Sequence, residues 1–314
     1  MHLGTVQFGK ISPNGTVTKR GNVFMDGIIV INKEKDWTSN DIVQKLKGIF
    51  HEKTGHTGTL DPQATGVLPV LIGKGTCLSK YLVNHDKDYI ATIKLGKKTS
   101  TGDREGDVIE EHIVTENMLD EKNVKIVLDS FIGKQTQVPP MYSAIKVNGK
   151  KLYEYARQGK DIDVKPRGIE IYDIKLISVS KENCELIFET KVSKGTYIRT
   201  LCEDIAERLG TVGFMEELNR TRVGDFRIEQ AVKISEISNC EDSKKLGFIS
   251  VEDFFANNGF FKFDDFKINK FLNGAKVFVG DKFDGIFRVY DKSMRFVGTG
   301  VVQDGVIKRD IVVL

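Results

Sequence analysis

From Met25 onward the chain divides into short segments whose apolar spacing marks their structure. GIIVINK (27–33) is a nearly unbroken apolar run and predicts a strand. TSNDIVQKLKGIF follows, with Ile42, Val43, Leu46, Ile49 and Phe50 on one helical face and with Thr38 and Asp41 at capping-box spacing. LPVLIGKG (68–75) reads as a short buried strand with a turn, and residues 76–83 as a helix. In DYIATIKLG (88–96) Tyr89, Ala91, Ile93 and Leu95 alternate onto one side, the pattern of a strand with one buried face. Residues 117–132 predict a helix that ends before Gly133. MYSAIKVNGKKLYEYARQG predicts a strand-like segment, an Asn-Gly turn and a short helix closed by Gly159. GIEIYDIKLISVS and CELIFETKVS are β-rich. Residues 197–209 predict a helix with Ile198, Leu201, Cys202, Ile205 and Leu209 as its apolar positions and Gly210 as its C-cap.

The ends differ from this body. Residues 1–24 carry an Asn-Gly turn signal between short alternating segments and read equally as a marginal hairpin or a flexible extension. A polar stretch, SEISNCEDSKK (235–245), precedes a segment of short strands and glycine turns over 251–314. Within 25–250, strands and helices mix without regular βαβ alternation. The expected fold is therefore α+β, with a mixed, largely antiparallel central sheet and flanking helices, followed by a small β-rich unit.

Composition narrows the function. Of the 314 residues 40% are apolar, enough for a sizeable core, yet no apolar run approaches the roughly 20 residues of a membrane span. No charged-then-apolar leader opens the chain. Cys77, Cys184, Cys202 and Cys240 lie far apart without a CxxC and read as buried, reduced thiols, so a cytoplasmic protein is expected. Net charge is only +3 with a pI near 8.4, and this balance alone identifies no polyanionic partner. Basic clusters at 94–98, 146–151, 191–199 and 219–227, beside aromatic and glycine-rich turns, point toward nucleic acid.

Most familiar chemistries find no support. GKGT (73–76) lacks the glycine five residues before Gly73 that a phosphate loop needs. GDREGD (102–107) fails the calcium-loop spacing and reads as a solvated turn. The five histidines form no metal-binding pattern, so neither metal nor cofactor is expected. GHTGTLDPQATG (55–66) is the exception. Asp61 before Pro62 matches a helix N-cap, but Gly66 and Pro69 leave little helix to cap, and three glycines permit close approach of a ligand. A carboxylate held there by amides and a cation would stay ionised, which suits nucleophilic work or stabilisation of a cationic centre.

GHTGTLDPQATGVLPVLIGKGT resembles the catalytic motif of the bacterial tRNA pseudouridine-55 synthases, the TruB family. QVPPMYSAIKVNGKKLYEYARQG, VSKGTYIRTLCEDIAERLG and LNRTRVGDF follow in that family's order, so the resemblance extends from about 27 to 230. The last 60 or so residues resemble the small PUA RNA-binding domain that ends these enzymes.

The resemblance implies a pseudouridine synthase fold over 25–250 and a monomeric enzyme that isomerises uridine 55 in the T-arm stem-loop of tRNA by base flipping. It implies Asp61 as the catalytic aspartate, Arg199 as its arginine partner and Tyr89 as the tyrosine that stacks on the target base. It places His56 against the opened RNA loop, and Lys33, Tyr197 and Leu218 with the substrate. An arginine beside Asp61 would lower the carboxyl pKa. The blander reading of Arg199 is a surface pair with Glu203. The motif normally written Asp-Lys-Pro-x-Gly appears here as NKEKD, with Asn32, Glu34 and Asp36 at the Asp, Pro and Gly positions. A guide-RNA-dependent synthase and a non-catalytic tRNA-binding or chaperone protein are the alternatives.

Overall fold

The computed structural model describes residues 26–160, 162–237, 246–280 and 283–314. The leading extension and most of the polar 235–245 stretch lie outside these residues. A ten-stranded sheet forms the body. Its main path runs Ile249–Ser250, Gly27–Lys33, Thr65–Ile72, Gly213–Val223, Lys87–Leu95, Glu185–Val192, Arg167–Ser180, Gly133–Gln137. Every pairing on that path is antiparallel except Thr65–Ile72 with Gly213–Val223. Those two strands meet in parallel over only two residue pairs, Thr65 with Asn219 and Gly66 with Arg220. The sheet is therefore two antiparallel halves joined at a narrow seam.

Each half packs its own core. Gly27–Lys33 is apolar at every position from Ile28 to Ile31 because both its faces are covered. Ile29 and Ile31 pack with Ile42 and Leu46 of the Ser39–Phe50 helix, while Ile28 and Val30 pack on the opposite face with Phe226, Val251 and Phe255. Full burial of each such side chain contributes about 1.5–3 kcal/mol. The helix begins with the expected capping box, Thr38 and Asp41 exchanging hydrogen bonds. In the other half, Ala91, Ile93 and Leu95 pack against Leu201, Cys202 and Ile205 of the Ile198–Arg208 helix. Pro69 sits inside the Thr65–Ile72 strand, which starts earlier than its apolar run suggests. The strand's outer partners reach only residues 65–66 and 70–72, so no ladder donor is demanded between them.

Asn148 and Gly149, both with positive φ, form the predicted Asn-Gly turn between Lys146–Val147 and Lys150–Lys151, and Leu152–Ala156 is the short helix. A five-stranded sheet built from residues 260–312 follows. It docks on the body through Tyr81, whose hydroxyl donates to Asp310 at 2.5 Å and whose ring meets Phe255 edge-on. Two expectations need correction. Asp265–Leu272 is a helix, capped by the Asp264 side chain, where only strands and turns were expected; one hydrophobic flank, Ile268 and Phe271, was too short to register as periodic. Cys202 is buried as expected, but Cys184 is only half-buried and Cys77 is exposed, because the tight turns at 73–78 bury Leu78 instead.

Candidate active site

Asp61 does not cap a helix. Residues 57–64 form an irregular loop that ends in a single turn, Ala64 N–H to Asp61 O at 3.1 Å, before the Thr65–Ile72 strand begins. Such a loop needs its backbone polar groups satisfied from elsewhere. Three buried side chains do this. The Ser39 hydroxyl accepts from Leu60 N–H at 2.9 Å and donates to Leu60 O at 3.1 Å. The Lys33 ammonium donates to Pro62 O at 2.8 Å, Ala64 O at 2.6 Å and Glu34 O at 3.0 Å. The Arg220 guanidinium donates to Gly58 O at 3.0 Å, Thr59 O at 3.4 Å and Val67 O at 2.8 Å. Leu60 and Ala64 are pegged into the apolar core beneath. The loop that carries Asp61 is thus braced on either side of it by two buried cations, at the seam where the halves of the sheet part.

Arg199 lies in the first turn of the Ile198–Arg208 helix and is only 6% exposed. Its Nε is 3.3 Å from Asp61 Oδ2, and its Nη1 is 3.4 Å from Asp103 Oδ2. The remaining donors reach Tyr142 O at 2.7 Å and Thr101 O at 3.3 Å. The surface pair with Glu203 is therefore not what this arginine makes: the helix turns it inward to two carboxylates. Asp103 belongs to GDREGD, so that segment is not merely a solvated turn. Thr101 donates to the Asp103 carboxylate at 2.5 Å, and Gln63, two residues after Asp61, bridges Asp36 and Glu105.

The expected lowering of the Asp61 pKa does not occur. Desolvation pushes the carboxyl up from its ordinary value, with Asp103 and Glu105 adding to the rise and Arg199 opposing it. Its side chain is nonetheless 39% exposed, so the acid is accessible from the surface rather than sealed in the core. Burial also lowers the pKa of His56, helped by Arg220. Its Nδ1 accepts from Gly58 N–H at 3.3 Å, which leaves Nε2 to carry the proton of the neutral ring.

Lys33 was expected to meet substrate, but it has no exposed surface. Its ammonium serves the loop instead, and burial lowers its pKa to about 8. Tyr89 is 7% exposed and stands between Thr190 and Arg220 in the sheet register. Tyr197 precedes the Arg199 helix, its backbone clamped by Gln137 and its ring covered by Arg167 at 4.7 Å. Leu218 packs between the two cores at the seam. Neither Tyr197 nor Leu218 is a polar partner of Asp61. Among the described residues no group of three or more His, Cys, Asp or Glu side chains is placed to hold a metal ion.

At the altered motif the backbone turns sharply. Asp36 takes φ 67°, the left-handed conformation that a glycine would supply, and its N–H donates to Pro62 O at 3.0 Å. Aspartate tolerates this region where a β-branched residue does not. Asp36→Val is therefore expected to destabilise the fold by about 1–2 kcal/mol, against little change for Asp36→Gly. Urea unfolding of both variants checks this; equal losses would show that the side chain, not the backbone, matters.

Three family models match in sequence: TruB family pseudouridylate synthase (N terminal domain) over residues 46–198, tRNA pseudouridylate synthase B C-terminal domain over 199–246, and Pseudouridine synthase II TruB, C-terminal, over 262–312. The tRNA pseudouridine synthase B of Francisella philomiragia is 42% identical over 295 residues, covering 91% of this chain and 94% of that protein. The chain belongs to the TruB family of pseudouridylate synthases. The Francisella tularensis subsp. novicida protein of the same name is 39% identical over 91% of this chain and 94% of its own length. Among solved structures, this TruB-family chain shares its fold with an archaeal box H/ACA sRNP Nop10-Cbf5 complex. The TM-score is 0.62 at 22% identity, covering 93% of this chain and 87% of the other. The first of these models covers the Asp61 loop and the second begins at Arg199, although Asp103, Lys33 and Arg220 acquire their tasks only through the fold.

Proposed function

We propose that this chain converts uridine to pseudouridine at position 55 in the T-loop of tRNA, with Asp61 as the catalytic carboxylate. The observation that carries the reading is the Asp61–Arg199 pair, presented on a loop braced by buried cations with the carboxylate accessible from the surface. Pseudouridine formation breaks the N1–C1′ bond, turns the base and joins C5 to C1′. Positive character develops at C1′ and negative charge on the uracil. A carboxylate fixed beside the sugar serves attack at C1′ or C6, and equally serves loss of the C2′ proton. The target base must leave its stack, at a cost of a few kcal/mol. In this reading His56, at the rim of the loop, fills the vacated space. Tyr89 supplies the aromatic surface at the strand end.

Phosphate contacts fall to exposed lysines: Lys146 and Lys150 of the hairpin, and Lys191 and Lys194 before the Arg199 helix. Arg220 and Arg222 of the 219–227 cluster are not available, since one is buried and the other is paired with Asp88 at 2.5 Å. The five-stranded C-terminal sheet extends the same RNA surface in this reading. Affinity for tRNA is expected to fall steeply with salt, by roughly tenfold or more between about 50 and 200 mM. A nearly flat salt dependence in a filter-binding titration would remove the electrostatic part of the proposal.

The deciding experiment incubates the purified chain, without additives, with an unmodified tRNA transcript and maps pseudouridine. Modification at position 55 supports the reading. Binding without modification would make the chain an RNA-binding protein, a need for guide RNA and partner proteins would make it a guided synthase, and release of free uracil would make it a hydrolase.

A further inference from the structure

Gln137 is the last residue of the Gly133–Gln137 strand and is only 4% exposed. A buried amide needs partners for both its oxygen and its NH2 group. Here one residue supplies both. Gln137 Oε1 accepts from Tyr197 N–H at 2.8 Å, and Nε2 donates to Tyr197 O at 3.0 Å. The side chain thus exchanges bonds with the Tyr197 main chain as the facing residue of a neighbouring strand would. Tyr197 is the N-cap of the Ile198–Arg208 helix, yet its own side chain makes no capping hydrogen bond. Its carbonyl also accepts the first bond of the helix, from Leu201 N–H at 3.1 Å. The direction of the first turn, which carries Arg199, is therefore tied to Gln137.

Further ties join the same segments. Gln137 faces Arg167 in the sheet register, and the chain between them leaves this sheet and returns to it. Near its start, Tyr142 O accepts from Arg199 Nη2 at 2.7 Å. At its return, Arg167 donates to Gly195 O and lays its guanidinium over the Tyr197 ring at 4.7 Å. Facing residues of two strands thus hold the approach to the helix, one by its main chain and the other by its ring.

We propose that Gln137 is a positioning residue for the reaction: its amide sets the start of the helix so that Arg199 Nε meets Asp61 while Nη1 meets Asp103. The proposal rests on the synthase reading above. Those contacts are 3.3 and 3.4 Å long, so a retreat of the helix start by about 1 Å takes both out of ion-pair range. Methionine and glutamate match glutamine in size but not in chemistry. The thioether offers no strong donor or acceptor, and a carboxylate accepts from Tyr197 N–H but has nothing to donate to Tyr197 O.

The test is a double-mutant cycle in single-turnover pseudouridine formation, with tRNA affinity and melting temperature measured alongside. Gln137→Met is expected to slow the wild-type chain by about tenfold or more while changing tRNA affinity by less than about threefold; in an Arg199→Met background the same substitution should cost less than about threefold. An equal loss in both backgrounds, no loss in either, or a loss of affinity as large as the loss of rate would overturn the proposal and leave Gln137 as a brace of the fold. Should Gln137→Met fail to fold, Gln137→Glu takes its place in the cycle, with the same results expected and the same results overturning it. NMR of 15N-arginine-labelled protein gives a reading without activity. Rotation of the Arg199 guanidinium should be slow in the wild-type chain and faster in the Gln137 variant, and identical rotation would overturn the proposal. Absence of pseudouridine with the wild-type chain would instead refute the synthase reading, while the NMR comparison would still decide whether Gln137 holds Arg199 in place.

Discussion

Asp61→Asn is expected to abolish pseudouridine formation, with a loss of at least about three orders of magnitude, while tRNA binding and the fold survive. Asparagine keeps the size of the side chain and its polar contact with Arg199 but cannot act as a charged oxygen donor. Arg199 retains Asp103, Tyr142 O and Thr101 O. The stability sign follows from the raised pKa. The folded state binds the Asp61 proton more tightly than the unfolded state does, so this group favours folding below the unfolded carboxyl value and loses that contribution as pH rises through the folded one. At neutral pH the ionised carboxylate therefore works against the fold, and its removal should leave the melting temperature unchanged or raised. A large drop would show that the carboxylate's pairing outweighs its desolvation. For the same reason the acid limb of the wild-type pH–rate profile should have its midpoint above the ordinary aspartate value of 3.8. A midpoint at or below that value would contradict burial as the dominant influence on this acid.

How far the site could be read in advance depended on whether a residue's task is local. The capping box of the Ser39–Phe50 helix and the Asn-Gly turn at 148–149 are set by residues three or fewer apart, and both form as their spacing predicts. The continuous run at 28–31 announced a strand, and its burial on both faces appeared only with the packing of the two cores. Asp61 and Arg199 stood out through their motifs. Asp103 did not, because an acidic turn looks alike whether water or an arginine almost a hundred residues away receives it. Lys33 and Arg220 were obscure for a different reason. Their partners are main-chain carbonyls, which every residue carries, so no residue type in the sequence marks them. The seam that makes those carbonyls available arises only when two antiparallel halves meet over two parallel residue pairs.

Arg199→Met should damage both activity and stability, and the two losses should respond differently to pH. The methionine fills similar volume but leaves Asp61 and Asp103 facing one another without a cation between them. Removing one partner of a buried ion pair typically costs about 3–5 kcal/mol, and exposure of Asp61 at the surface reduces this to about 2–4 kcal/mol here. The carbonyls of Thr101 and Tyr142 lose their donor at the same time. Asp61, already raised by desolvation and by Asp103, loses the stronger of the two cations that oppose that rise and keeps only Lys33, so more of it is protonated at a given pH. Pseudouridine formation at neutral pH should fall by about a hundredfold or more, and the acid limb of the pH–rate profile should move upward. Raising the pH should then recover part of the rate by ionising Asp61, but it should not recover stability, because an ionised Asp61 beside Asp103 with no arginine between them adds repulsion. Activity and urea unfolding measured over one pH series that extends above neutrality check both halves. A rate deficit that is constant across that range would mean that Arg199 acts through geometry alone and leaves the ionisation of Asp61 untouched.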